Sequence, residues 1–243
     1  MQWNDEGLVL SARKYGENSV ILHALTREHG RYAGMVRGGT GKRLRGILQP
    51  GNEVGLGWNS RLADQLGTFS VEARRSLATL LFDRPLNLLA CGSVTALLEI
   101  VLPEREPHPP LFEATRYLLE QLSGDLDIWG PLLVRWELGL LRELGYGLDL
   151  GRCAATGSTE DLVFVSPKSG RAVSRAAGEI YKQRLLPLPG FLSPEGGEAE
   201  SADLVAGLTL SGYFIQKFLL PNYGNVVLST RERFIDALRR RNI

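Results

Sequence analysis

Five cations, Arg31, Arg37, Lys42, Arg43 and Arg45, fall between residues 31 and 45 with no acid among them. Cations at this density suit a polyanion. Each phosphate contact releases a condensed counterion, and that release supplies most sequence-independent affinity for nucleic acid. Arg13 and Lys14 add two charges upstream, next to Tyr15, and Tyr32 follows Arg31. Rings beside cations fit a single strand, whose bases stack on aromatic faces while cations follow its backbone. Arg13, Lys14, Tyr15, Arg31, Tyr32, Arg37, Lys42, Arg43 and Arg45 are therefore the candidate binding residues. Trp58 and Phe69 lie in strand-like runs and are assigned to the core.

Other chemistry finds less support. The run GGTGKR at residues 38–43 suggests a phosphate-binding P-loop, but Val36 stands where the first glycine is needed and Arg43 where a magnesium-binding Ser or Thr is needed. The pattern continues as β rather than helix, so the run reads as a flexible loop carrying cations. His23, His29 and His108 are scattered, and no nucleophile–base pair stands out. The reading is of a protein that is not an enzyme. Two cysteines, Cys91 and Cys153, are too few for a disulfide framework, which favours a reducing cytoplasm. Cys153 is followed by Thr156 where a C-x2-C knuckle would place its second ligand, and no histidine follows. Structural zinc needs four ligands, so no metal and no cofactor is expected. Phe164, Val165, Ser166, Lys168 and Ser169 are left to hold this loop by packing and hydrogen bonds, with Cys153 a small buried hydrophobe.

These residues must be positioned by about eighty residues of β pattern. Strands are expected at 7–15, 19–26, 31–37, 53–58 and 68–73, separated by glycine-bearing turns. Five short strands suit a small closed barrel of the OB type, which commonly binds nucleic acid. From residue 86 the period becomes helical, with apolar residues recurring at three and four until Pro103. Further helices fit 111–122, 131–144 (with Pro131 in its first turn), 175–185 and 201–219, with a short strand at 162–165. Ser229 and Glu232 read as a capping box that opens a last helix, on which Phe234, Ile235 and Leu238 bury. The expected fold is α+β: an OB domain at 1–80, then a mainly helical domain at 81–243 with a degenerate knuckle at 151–174. Its 243 residues are 44% apolar and 23% charged, an ordinary globular composition. The net charge of +1 hides an uneven distribution, +4 over residues 1–80 and −3 over the rest. Neither a signal peptide nor a membrane span is indicated.

Two segments carry a family resemblance: WNDEGLVL at residues 3–10, and WELGLLRELGYGLDL at 136–150 running into Cys153 and Thr156. Together they make the chain similar to the RecO family of bacterial DNA repair proteins, in a form lacking the zinc ligands. That resemblance implies a non-enzymatic, cytoplasmic and nucleoid-associated recombination mediator. Such a protein binds single- and double-stranded DNA, anneals complementary strands, and works with RecR and often RecF to help RecA displace single-strand binding protein. It also implies a site for the acidic, Phe-ending tail of single-strand binding protein, for which Arg135 and Arg142 on one helix are candidates. A rival reading makes the chain a protein–protein adaptor that binds this tail through its helical domain and nucleic acid only weakly. A third makes the barrel an RNA binder, since phosphate contacts do not distinguish the sugar.

Overall fold

The computed structural model describes the chain except residues 63, 64, 198, 200, 222–225, 242 and 243 and the side chains of 201 and 226–228. The first strand, β1 (Gln2–Tyr15), is long enough to pair with two neighbours. Its C-terminal half meets β2 (Ser19–Thr26), and its N-terminal half meets β4 (Glu53–Asn59). A register shift between Val9 and Ser11 bends the strand where it passes from one neighbour toward the other. β3 (Gly30–Arg37) and β5 (Thr68–Arg75) complete the closed order β1-β2-β3-β5-β4. Closure rests on a parallel contact, Met35 against Thr68.

Alternation decides what fills the barrel. Val20, Leu22 and Ala24 of β2, Tyr32 and Val36 of β3, Val54, Leu56 and Trp58 of β4, and Phe69 of β5 form one buried cluster. Trp58 is 1% exposed, stacks on Trp3 at 5.7 Å and donates its indole N–H to the Leu66 carbonyl at 3.2 Å. Gly34 lies against the Phe69 ring, where a Cβ would stand 2.4 Å from it, so glycine is required at that point of β3. Between β3 and β4 the chain forms a six-residue helix, α1 (Lys42–Ile47), where sequence reading expects a loop. Leu44 and Ile47 pack on the barrel cluster, and Leu48, 3% exposed, joins it. Tertiary burial, rather than propensity, makes this segment helical.

The described residues divide into two compact units. The first holds 1–123 and 225–234, the second 124–224 and 235–243. Within the first, α2 (Leu77–Leu80), α3 (Pro85–Val101) and α4 (Pro109–Gln121) accompany the barrel, and α3 packs on β1 and β2. Charged residues join α4 to the strands. Glu113 and Glu120 flank Arg116 on the helix, while Arg27 reaches Glu113 at 3.0 Å and Arg75 reaches Glu120 at 2.6 Å. Gly30, at φ +73°, passes so close to residue 106 that a Cβ would fall 2.0 Å from the Glu106 carbonyl oxygen.

In the second unit, α5 (Leu126–Glu143) starts at Leu126, so Pro131 is internal rather than first. Asp125 precedes the helix, and its carbonyl already accepts from Trp129 at 3.2 Å. α5 packs on α7 (Ser201–Phe214), where buried Ser211 donates to the buried Glu137 carboxylate. A three-stranded sheet, β6 (Leu162–Val165) with β7 (Ala172–Ser174) on one side and β8 (Leu186–Pro187) on the other, holds the loop region. Only β6 is legible in the sequence. Residues 175–184 are a single turn, α6 (Arg175–Gly178), continued as 3₁₀ helix. The last helix, α8 (Val226–Arg241), contributes residues to both units and begins ahead of Ser229. The presumed capping box therefore lies inside the helix, although Phe234, Ile235 and Leu238 are buried as expected. Among the described residues no helix is long and apolar enough to cross a membrane.

Candidate nucleic-acid interface

Strand register sorts the candidate cations. Tyr15 pairs with Ser19 and Ser19 with Arg37, so these three form one cross-strand row at an end of the barrel. Lys14 pairs with Val20 and Val20 with Val36, two core residues, which places Lys14 on the side of the barrel mouth. At the same mouth α1 presents Lys42, Arg43 and Arg45, all exposed. Lys14, Arg37, Lys42, Arg43 and Arg45 form no ion pair among the described residues. They stand on a strand end, a strand end and a helix, not on a flexible loop.

Arg13 and Arg31 are placed differently. Arg13 meets Glu99 of α3 at 2.7 Å, and Ser11 donates to the same carboxylate at 2.8 Å. Arg31 donates to the Leu102 carbonyl at 2.8 Å and pairs with Glu104 at 3.2 Å. Both charges are thus met by the chain itself. Tyr32 is a correction of another kind. It is 8% exposed, sits edge-on to Trp58 and Trp3 at 5.1 and 5.0 Å, and is covered by the Arg105 guanidinium 5.0 Å above its ring. In this arrangement the ring offers no face to a base, whereas Tyr15, 54% exposed, does. The outer face of β2 and β3, which OB domains commonly use for ligands, is here occupied near Arg31. His23 on that face is held below the ordinary imidazole range by burial, which the nearby Glu99 opposes and Arg31 and Arg13 reinforce.

A groove of about 520 Å³ opens beside the free cations. Lys14, Thr40 and Arg45 line it together with Val20, Leu48 and Pro50. Of these, Thr40, Leu48 and Pro50 escape a search for charge and aromatic patterns. The proximity of Gly39 to Val20, where a Cβ would lie 2.5 Å from Cγ2, brings the loop onto this wall.

In the second unit Arg135 is engaged. Its guanidinium donates to the Phe191 carbonyl at 2.9 Å and lies 5.4 Å from that ring's centre. Arg142 is exposed and has no ion pair among the described residues. The structure therefore does not bring the two arginines to one free rim.

The knuckle loop has a donor set unsuited to zinc. Cys153 Sγ accepts from the Ser174 backbone N–H at 3.3 Å and from its hydroxyl at 3.4 Å. No cluster of three metal-ligating side chains occurs among the described residues. Burial raises the Cys153 thiol, but hydrogen bonds from Ser174 and Thr156 outweigh it and bring the pKa down to about 6. The sulfur thus serves as a hydrogen-bond acceptor for Ser174 rather than only as a small hydrophobe. An unfolded thiol titrates near about 8.5, so this contribution to stability is fully present above that pH and is lost as pH falls through about 6. The denaturation midpoint is expected to rise between those values and to lose that rise in Cys153→Ala. Elemental analysis of the purified protein should find zinc far below one per chain.

A closed five-stranded barrel with a cationic end, accompanied by helices, defines an α+β protein of the OB-fold class. The chain belongs to the Recombination protein O family: residues 1–77 match its N-terminal description and residues 83–220 its C-terminal description. It is similar to the DNA repair protein RecO of Rhodospirillum centenum, 48% identical over 243 residues, covering 99% of this chain and 96% of that protein. The DNA repair protein RecO of Methylocella silvestris is also 48% identical, covering 99% and 97%, and that of Ruegeria sp. 45%, covering 99% and 100%.

Proposed function

We propose that the chain is a non-enzymatic recombination mediator in DNA repair that binds single- and double-stranded DNA at the α1 end of its barrel. Lys14, Arg37, Lys42, Arg43 and Arg45 carry this reading, because they share one end and are met by no carboxylate among the described residues. A site that holds two strands on common cations offsets their mutual repulsion and raises their effective concentration, which is what annealing needs. Annealing of bare complementary strands, with RecR and RecF assisting RecA on strands coated by single-strand binding protein, follows as the proposed role. The test is an annealing assay with the purified chain. Acceleration that disappears as salt rises is the expected result, and no acceleration at low salt would refute the annealing role.

A second activity, capture of the single-strand binding protein tail, is favoured by one surface. Tyr146 stacks on Phe218 at 4.9 Å, Lys217 lies 4.8 Å over the Phe218 ring, and Arg142 is one turn before Tyr146. Apolar rings beside the exposed Arg142, with Lys217 held nearby by the Pro167 carbonyl at 2.7 Å, match an acidic peptide ending in Phe. Arg142→Glu should weaken capture of such a peptide by about tenfold or more through charge reversal, and leave annealing of bare strands intact. Arg135→Glu is a poorer probe because it also breaks the Phe191 contact. Loss in both assays would instead place Arg142 on the DNA path.

A further inference from the structure

We propose that the groove beside α1 receives one unstacked nucleobase of a single strand, with Lys14 and Arg45 holding the adjoining phosphates. This deepens the DNA-binding reading and rests on it. The volume of about 520 Å³ falls within the ~300–1,000 Å³ of small-ligand sites, so one base and its sugar fit. Its surfaces match a base in kind. Val20 and Leu48, 6% and 3% exposed, give an apolar floor, and Ala12 and Pro50 form walls. A base has flat apolar faces and a polar edge, and Gln49 on the rim can meet that edge. Its amide N–H already donates to the Arg45 carbonyl at 2.7 Å, which leaves the side-chain oxygen as an acceptor. Lys14 and Arg45 are without ion partners among the described residues, so the charges at the rim stand ready for phosphate. A duplex, whose bases stay stacked and paired, cannot enter. The groove thus discriminates single from double strands on a cationic surface that by itself cannot.

Burial of a base is separable from phosphate contact. Binding of an oligothymidylate strand should be compared with that of an abasic strand of equal length at matched salt. The wild-type chain is expected to hold the base-bearing strand about tenfold tighter, in keeping with burial of the apolar faces of one base against Val20 and Leu48. Ala12→Leu fills the groove from an exposed position, and Thr40→Ile narrows it at another lining position without adding a ring. Both variants should sharply diminish the difference between the strands, leaving only what Tyr15 contributes, with the salt dependence and the duplex affinity unchanged. Equal affinity for the two strands in the wild type, or an undiminished preference in a folded filled variant, overturns the groove. A wild type whose binding ignores salt overturns the phosphate reading beneath it, and the groove falls with it.

Discussion

Replacing Arg37, Lys42, Arg43 and Arg45 together with alanine will reduce the log–log salt slope of single-strand binding by about 2.8, from ~0.7 for each lost phosphate contact. The same arithmetic gives an affinity loss of several hundredfold near ~0.1 M salt. None of the four side chains has an ion pair among the described residues, so their removal strands no carboxylate and the fold should survive. Arg13→Ala and Arg31→Ala are the contrasting variants. Each leaves a glutamate without its partner and so should lower stability while the slope changes little. Equilibrium binding across a salt series measures both. An unchanged slope in the quadruple variant, or an equal flattening in the Arg13 and Arg31 variants, would show that register and pairing do not mark the DNA path.

Trp58→Ala should cost about 3–5 kcal/mol, the usual loss for removing a large aromatic from a core. Three of its contacts are lost together: the stack on Trp3, the edge contact with Tyr32 and the indole bond to Leu66. Against a typical stability of ~5–15 kcal/mol, this is enough to leave a measurable fraction unfolded. Chemical denaturation followed by circular dichroism will show the midpoint falling with its slope unchanged. A shift under about 1 kcal/mol would mean that the barrel relaxes around the gap far more than close packing allows.

Much of the barrel is legible because a half-buried strand prints its period on the sequence. The run from Arg31 to Arg37 alternates, and the same alternation puts Tyr32 in register with Gly34 and Val36 on the inner face. Its neighbour Arg31 drew attention to the wrong property of that tyrosine. The short helix α1 is not legible, because Gly41, Gly46 and three cations favour a loop until Leu44, Ile47 and Leu48 find the barrel floor. Pairing is the other hidden layer. Glu99 lies 86 residues from Arg13 and Glu104 lies 73 from Arg31, so local charge counting sees only unopposed arginines. Pro131 misled for a local reason: proline is favoured at a helix start, yet the Asp125 junction sets the start of α5 earlier.

The ion pairs between the strands and the two following helices bear on how this protein should be dissected. A fragment ending near residue 80 would follow the sequence boundary, but it would strip Arg13, Arg27, Arg31 and Arg75 of Glu99, Glu113, Glu104 and Glu120 at one stroke. Arg13, Arg31 and Arg75 would then lose their ion partners and Arg27 would keep only its longer contacts with Glu6 and Glu28, alongside five cations that have no ion pair among the described residues. Leu8, which lies among Leu77, Leu119 and the α4 charges, would be uncovered as well. Such a fragment would report a stickier and less discriminating polyanion binder than nature uses. A more faithful piece keeps the whole first unit, the barrel with α3, α4 and the start of α8, so that the chain's own glutamates still subtract these charges.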